Sequence, residues 1–77
     1  MTLSIAHHLD ARGLSCPMPI VKTAQAIKTI PSGGLIEVVA TDPGSVKDFE
    51  AWSRTTGNEL VERSEGSGEY RFVLRRK

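Results

Sequence analysis

LIEVVATDPGSVKDFEAW, residues 35–52, decides the fold. Leu35 to Thr41 is rich in β-branched residues and is bounded by glycine before it and Asp-Pro-Gly after it, the pattern of a strand. At a period of two, Ile36, Val38 and Ala40 share one side, and Glu37, Val39 and Thr41 the other. Asp42-Pro43-Gly44-Ser45 is turn chemistry. Ser45 followed by Asp48 fits a capping box, so a helix is expected to start at Ser45. Val46, Phe49 and Trp52 give that helix its apolar face, and the spacing assigns Trp52 to the core. Gly57 is a natural stop, since glycine enters the left-handed region without strain.

The same punctuation extends outward. Upstream, Pro31-Ser32-Gly33-Gly34 ends a helix that starts near Cys16 and runs to about Ile30, with Ile20, Ala24, Ile27 and Ile30 as its stripe. Gly33-Gly34 is a helix-stop turn rather than a phosphate loop, because no strand-loop-helix motif surrounds it. Before that helix, Leu3 to Leu9 reads as a strand with Leu3, Ile5, His7 and Leu9 on one side, left through Arg12-Gly13. Downstream, Leu60 to Ser64 and Tyr70 to Arg75 are strands joined by the hairpin loop EGSG. The order is β-α-β-α-β-β, and right-handed crossovers would place both helices on one face. The expected class is α+β: a two-layer sandwich with a four-stranded mixed sheet and two helices on one face. The opposite sheet face would carry His8, Glu37, Val39, Arg71 and Val73, a mixed surface open to a partner.

A chain of 77 residues is expected to form a single domain over residues 1–77. Such a domain buries only about 60% of its unfolded surface. The single cysteine excludes an internal disulfide framework and a multi-cysteine zinc site, and suits a reducing cytoplasm. No apolar run is long enough to span a membrane, and MTLSIAHHLD lacks the charged and apolar regions of a signal peptide. The net charge of +1 gives no bulk attraction to nucleic acid. No cofactor or metal is expected, and the chain is expected to act as a monomer.

Chemistry concentrates at Cys16. With Pro17 as the first helical residue, Cys16 is the expected N-cap, where the positive helix end favours a thiolate and lowers the pKa below the free value of about 8.5. Pro19 has no N–H to offer, which leaves Met18 as the nearby donor and moderates the activation. Arg12 and Lys22 stand close enough in sequence to add positive charge. The competing reading is a small buried hydrophobe, as free cysteines often are. A dithiol redox motif would need a second cysteine where Pro19 stands.

LDARGLSCPMPIVKT, residues 9–23, resembles the signature of the TusA (SirA-like) family of small sulfur carrier proteins, Leu-Asp-x-x-Gly-x-x-Cys-Pro-x-Pro. ATDPGSVKDFEAW, TGNEL and YRFVLRRK are similar to later family segments in the same order. The resemblance implies a β-α-β-α-β-β sandwich and a persulfide carried on Cys16. It implies a donor protein of the cysteine desulfurase or rhodanese-like kind and a downstream acceptor protein. Family members serve tRNA thiolation, molybdenum-cofactor supply or dissimilatory sulfur oxidation, and the TDPGSVKDFEAW wording is most similar to the last. Nothing in the residues supplies a base, acid pair or metal site for stand-alone catalysis, so the expected role is a stoichiometric relay rather than an enzyme. The alternatives are a regulatory or binding module with a structural cysteine, and a redox-sensing thiol.

Other residues carry plainer readings. His7 and His8 are adjacent, so in a strand they point to opposite faces and cannot clamp one metal. Asp10 and Arg12 are expected to shape the loop before Cys16, as turn formers. Asp42-Pro43-Gly44-Ser45 is accounted for as a turn and cap and is assigned to no site. Arg75, Arg76 and Lys77, with Arg71, read as a solvated basic end that could steer an acidic partner.

Overall fold

The computed structural model describes residues 4–77. Its elements are β1 (Ile5–Ala11), α1 (Met18–Ala26) with a 3-10 turn at Ile27–Thr29, β2 (Leu35–Ala40), α2 (Ser45–Thr56), β3 (Glu59–Gly66) and β4 (Glu69–Arg75). Among the described residues the order is β-α-β-α-β-β, as expected. Leu3, assigned to the first strand, lies outside them. β1 continues past Leu9 because Ala11, fully buried, pairs with the equally buried Ala40 at the end of β2.

The sheet order is β1-β2-β4-β3. β1 runs parallel to β2, while β4 is antiparallel to both β2 and β3. The chain leaves β2 through α2, lays β3 at the far edge, and returns β4 into the gap. Burial explains that placement. Phe72, Val73 and Leu74 are consecutive and all buried, which suits a strand flanked by neighbours on both edges. β3 carries Glu59, Glu62, Arg63 and Glu65, all exposed, and charge of this kind protects an edge from pairing with other chains. The β3–β4 hairpin closes through Ser67 (φ 54°) and Gly68 (φ 79°), both left-handed, as a two-residue type I′ turn requires.

Ile36, Val38 and Ala40 face the helices and are buried, as their alternation predicts. Phe49 of α2 stacks on Phe72 of β4 with ring centroids 4.5 Å apart, and Trp52 meets Phe49 edge-on at 6.4 Å. Trp52 is half-buried and packs against the core rather than within it. The α1 stripe differs from expectation. Pro19 and Thr23 are its buried residues, and the Thr23 hydroxyl donates to the Pro19 carbonyl at 2.8 Å, which satisfies it inside the core. The α-helix also ends at Ala26. The tighter 3-10 turn that follows carries Ile27 and Ile30 into the core together.

Two further regions are fastened by bonds that the sequence does not show. The basic C-terminal segment is exposed at Arg75 and Lys77 but tied down between them: Gly33 N–H donates to the Arg76 carbonyl and Arg76 N–H to the Gly34 carbonyl, both at 2.8 Å. The Arg76 guanidinium also bonds the Ile30 carbonyl, and Arg75 pairs with Glu59 at 3.0 Å. The sheet face opposite the helices is likewise knit together. Glu37 accepts from His8 Nδ1 at 2.7 Å and from the Arg71 guanidinium, which reaches Glu62 at 2.6 Å. These four residues come one from each strand. Val73, on the same face, is fully covered instead of presented. Glu37 is held below the usual carboxylate range, by His8 first and Arg71 second.

Candidate functional site

Parallel strands that sit side by side end side by side. β1 and β2 finish with the pair Ala11 and Ala40, so the connections that follow them lie against each other although far apart in sequence. The first connection carries Cys16, and the second carries Thr41 and Asp42. Cys16 is free and exposed, which removes the buried-hydrophobe reading.

The connection is pinned at several points. Arg12 N–H donates to Asp10 Oδ1 at 3.1 Å, and the Arg12 side chain grips the same carboxylate at 2.9 and 3.1 Å. Asp10 and Arg12 therefore shape the exit from β1, as their residue types suggest. The Arg12 side chain holds Asp10 down to about 2, with the Arg12 backbone N–H contributing next. Gly13 sits at φ 78°, where a side chain is strained, and its N–H donates to Thr41 Oγ1 at 2.9 Å. Leu14 N–H turns back to the Ala11 carbonyl at 3.3 Å. Cys16 N–H then donates to Asp42 Oδ2 at 2.8 Å, across 26 residues of sequence.

The expected cap is not formed. α1 begins at Met18, and Pro17 occupies the cap position without a side-chain cap bond. The Cys16–Pro17 peptide is cis. Met18 N–H, the donor expected to favour a thiolate, is taken by the Ser15 carbonyl at 2.8 Å. The electrostatics reverse accordingly. The Cys16 thiol is held above its ordinary value by the Asp48 carboxylate beside it, then by lost hydration, with the charge of Asp42 acting last. Acids, not bases, surround the sulfur. Arg12 is engaged by Asp10 and lies 3.5 Å from Glu69, and neither it nor Lys22 acts on the thiol.

Asp48 also departs from its expected role. α2 starts at Ser45 as predicted, but Gly44 holds the cap position with no side-chain cap bond. The Ser45 hydroxyl donates to the Asp42 carbonyl at 2.6 Å instead of capping the helix, so no capping box forms with Asp48. Asp42 is the residue that sequence reasoning passed over. One signal was present: a carboxylate at the carboxyl end of a strand, two residues before glycine, can bond backbone N–H groups beyond its own turn. Only the strand pairing says whose. His7 and His8 do point apart, His7 half-buried opposite Ile36 and His8 exposed on Glu37. Beside Cys16, Met18 and Val21 leave 39% of their surfaces exposed each.

The arrangement presents one exposed sulfur on a loop fastened through its backbone. A family model described as Sulfurtransferase TusA matches residues 7–76. A sulfur carrier protein TusA of Allochromatium vinosum is 47% identical over 68 residues, covering 88% of this chain and 90% of that protein. A sulfur carrier protein TusA of Pseudomonas aeruginosa is 39% identical over 77 residues, covering 100% of this chain and 98% of that protein. The crystal structure of a SirA-like protein from Desulfitobacterium hafniense superposes with a TM-score of 0.78 over 90% of this chain and 95% of its own, at 18% identity. That likeness is one of fold.

Proposed function

The chain belongs to the TusA family, and from that premise we propose that it carries sulfane sulfur as a persulfide on Cys16 between a donor protein and an acceptor protein. The observation that carries the reading is an exposed thiol in a chain with no second cysteine. In the loading step the Cys16 thiolate attacks the outer sulfur of a donor persulfide. A new S–S bond forms at Cys16, the donor S–S bond breaks, and the donor leaves as a thiolate that takes up the proton Cys16 released. Unloading is the same exchange with an acceptor thiolate. A neighbouring thiol would attack the inner, Cys16 sulfur, expel the outer sulfur as hydrosulfide and close a disulfide; with no second cysteine in the chain, the persulfide waits for a partner.

The donor is of the cysteine desulfurase or rhodanese-like kind, and the setting is a reducing cytoplasm, where a lone thiol stays free. Exposed Met18 and Val21 give such a partner apolar surface next to the sulfur, of the kind that interface cores use. The protein is a relay consumed and regenerated in each cycle rather than a stand-alone enzyme. A redox sensor is the weaker reading, because peroxide reactivity follows thiolate character and Asp48 opposes it.

Intact mass without reductant tests the proposal. After incubation with a charged donor, the wild type should gain about 32 Da, one sulfur, and lose it to dithiothreitol by thiol exchange. Cys16→Ser should gain nothing. Equal gain in the two proteins, or none in the wild type beside a donor that turns over, removes the reading.

A further inference from the structure

Resting on the carrier reading, we propose that Asp42 is a positioning residue for sulfur transfer: its carboxylate fastens the Cys16 loop to the start of α2 and so fixes the direction in which the thiol meets a protein-borne persulfide.

The Cys16 side chain is exposed, so packing does not orient its sulfur; the backbone must. Beyond Cys16, Pro17 restricts the chain. Before it, Gly13 lies in the left-handed region and allows the loop to swing. Two side chains of the neighbouring connection close that freedom: Thr41 holds Gly13 N–H at 2.9 Å and Asp42 holds Cys16 N–H at 2.8 Å. The Asp42 bond is the one at the reactive residue, and an ionised acceptor makes it the stronger kind. Asp42 is itself immobilised. Its Oδ1 accepts Gly44 N–H at 3.1 Å, and its carbonyl accepts Ser45 N–H at 3.0 Å and the Ser45 hydroxyl at 2.6 Å. Ser45 is 1% exposed, so the anchor belongs to the core. The chain of contacts thus runs from the buried start of α2 to the thiol loop through one carboxylate.

Transfer between two folded proteins demands orientation that a small flexible donor supplies for itself. A displacement of about 1 Å costs on the order of a hundredfold in such a reaction. The same carboxylate disfavours the thiolate, so Asp42 opposes reactivity while it supplies geometry. Two substitutions separate these effects: Asp42→Asn keeps an acceptor oxygen and drops the charge, and Asp42→Ala drops both.

The experiment follows sulfur uptake by intact mass from two donors: glutathione persulfide, and a protein donor, either a rhodanese-type sulfurtransferase charged from thiosulfate or a cysteine desulfurase charged from cysteine. Asp42→Ala should be slowed about tenfold or more with the protein donor, and stay within about threefold of wild type with glutathione persulfide. Asp42→Asn should stay within about threefold of wild type with both, because its one amide oxygen takes the Cys16 N–H, the shorter of the two bonds, and gives up the one from Gly44. Wild-type uptake by Asp42→Ala from the protein donor overturns the inference. So does an Asp42→Asn protein as slow as Asp42→Ala, since the carboxylate would then act by charge. Amide hydrogen exchange of the wild type adds a test that needs no variant to fold: Cys16 N–H should exchange at least about tenfold slower than an unbonded amide, and exchange at the unbonded rate overturns the inference. A wild type that takes sulfur from no donor removes the carrier reading and this inference with it; one that loads normally beside an unaffected Asp42→Ala removes this inference alone.

Discussion

Cys16 works against its surroundings. A carrier's sulfur must attack and later depart, and a thiol with Asp48 and Asp42 nearby is mostly protonated at neutral pH, when a free thiol is already less than about a tenth thiolate. Reactivity is therefore restrained in the free protein. Asp48→Asn removes the leading cause, so the thiol pKa should fall. The rate of iodoacetamide alkylation at pH 7 should then rise above that of the wild type, since the thiolate fraction grows as the thiol pKa falls. A rate equal to wild type across the pH range would show that Asp48 does not act on the sulfur. Asp10 supplies a second test at this scale. Its carboxyl should titrate at about 2, read from its carboxyl-carbon resonance. Because its pKa is depressed in the folded chain, whatever stability the Arg12 pairing adds is complete above the unfolded value of about 3.9 and is lost as pH falls toward the folded one. A midpoint near 4 would mean that the pair is open in solution. Cys16 and the turn at Asp10 were legible because each is local. Asp42 and Asp48 were not, because their partner lies on a different connection.

Among the elements, β2 and α2 follow their periodicity, and α1 and β3 depart from it. Helix α1 starts two residues after the cysteine, with Pro17 at the cap and Pro19 inside the first turn, where a missing N–H removes no intrahelical bond. It ends early because a 3-10 turn brings Ile27 and Ile30 to the core. β3 pairs with β4 with a register shift between Leu60 and Glu62, so its alternation carries a skipped beat that no period-two pattern contains. Helix α2 ends as predicted. Gly57 holds φ 82° at the end of the helix, and its N–H reaches the Ser53 carbonyl at 2.9 Å. Gly57→Ala should cost about 1 kcal/mol or somewhat more, from left-handed strain and from a Cβ placed 2.9 Å from the Lys77 side chain. Urea denaturation reads this directly, and an unchanged midpoint would refute the assignment.

In the whole molecule, one aromatic contact joins the layers. Phe49 is fully buried on Phe72, and α2 has no other fully buried large side chain among the described residues. Phe49→Ala should lose about 3–5 kcal/mol. A domain of this length holds roughly 4–12 kcal/mol in total, so thermal unfolding should move below or close to working temperature. A loss under about 1 kcal/mol would show that the two layers are held elsewhere. The opposite face needs no such cover. Its polar side chains bond one another across all four strands through His8, Glu37, Arg71 and Glu62.

The sequence by itself determined the class of fold, the number and kind of its elements, the core side of each central strand, and the place of the one cysteine ahead of the first helix. Each of these follows from short-range pattern: a period of two or of 3.6, a glycine where φ turns positive, a lone thiol before Pro-x-Pro. The tertiary structure decided what pattern does not encode. It set the order β1-β2-β4-β3, because the central place goes to the buried Phe72-Val73-Leu74 and the edge to the charged β3. It also set the environment of Cys16. Local chemistry predicted a helix end that favours a thiolate. Parallel pairing of β1 and β2 brought Asp42 to the Cys16 backbone and Asp48 to its sulfur, and full charges at short range outweigh the partial charge of a helix end.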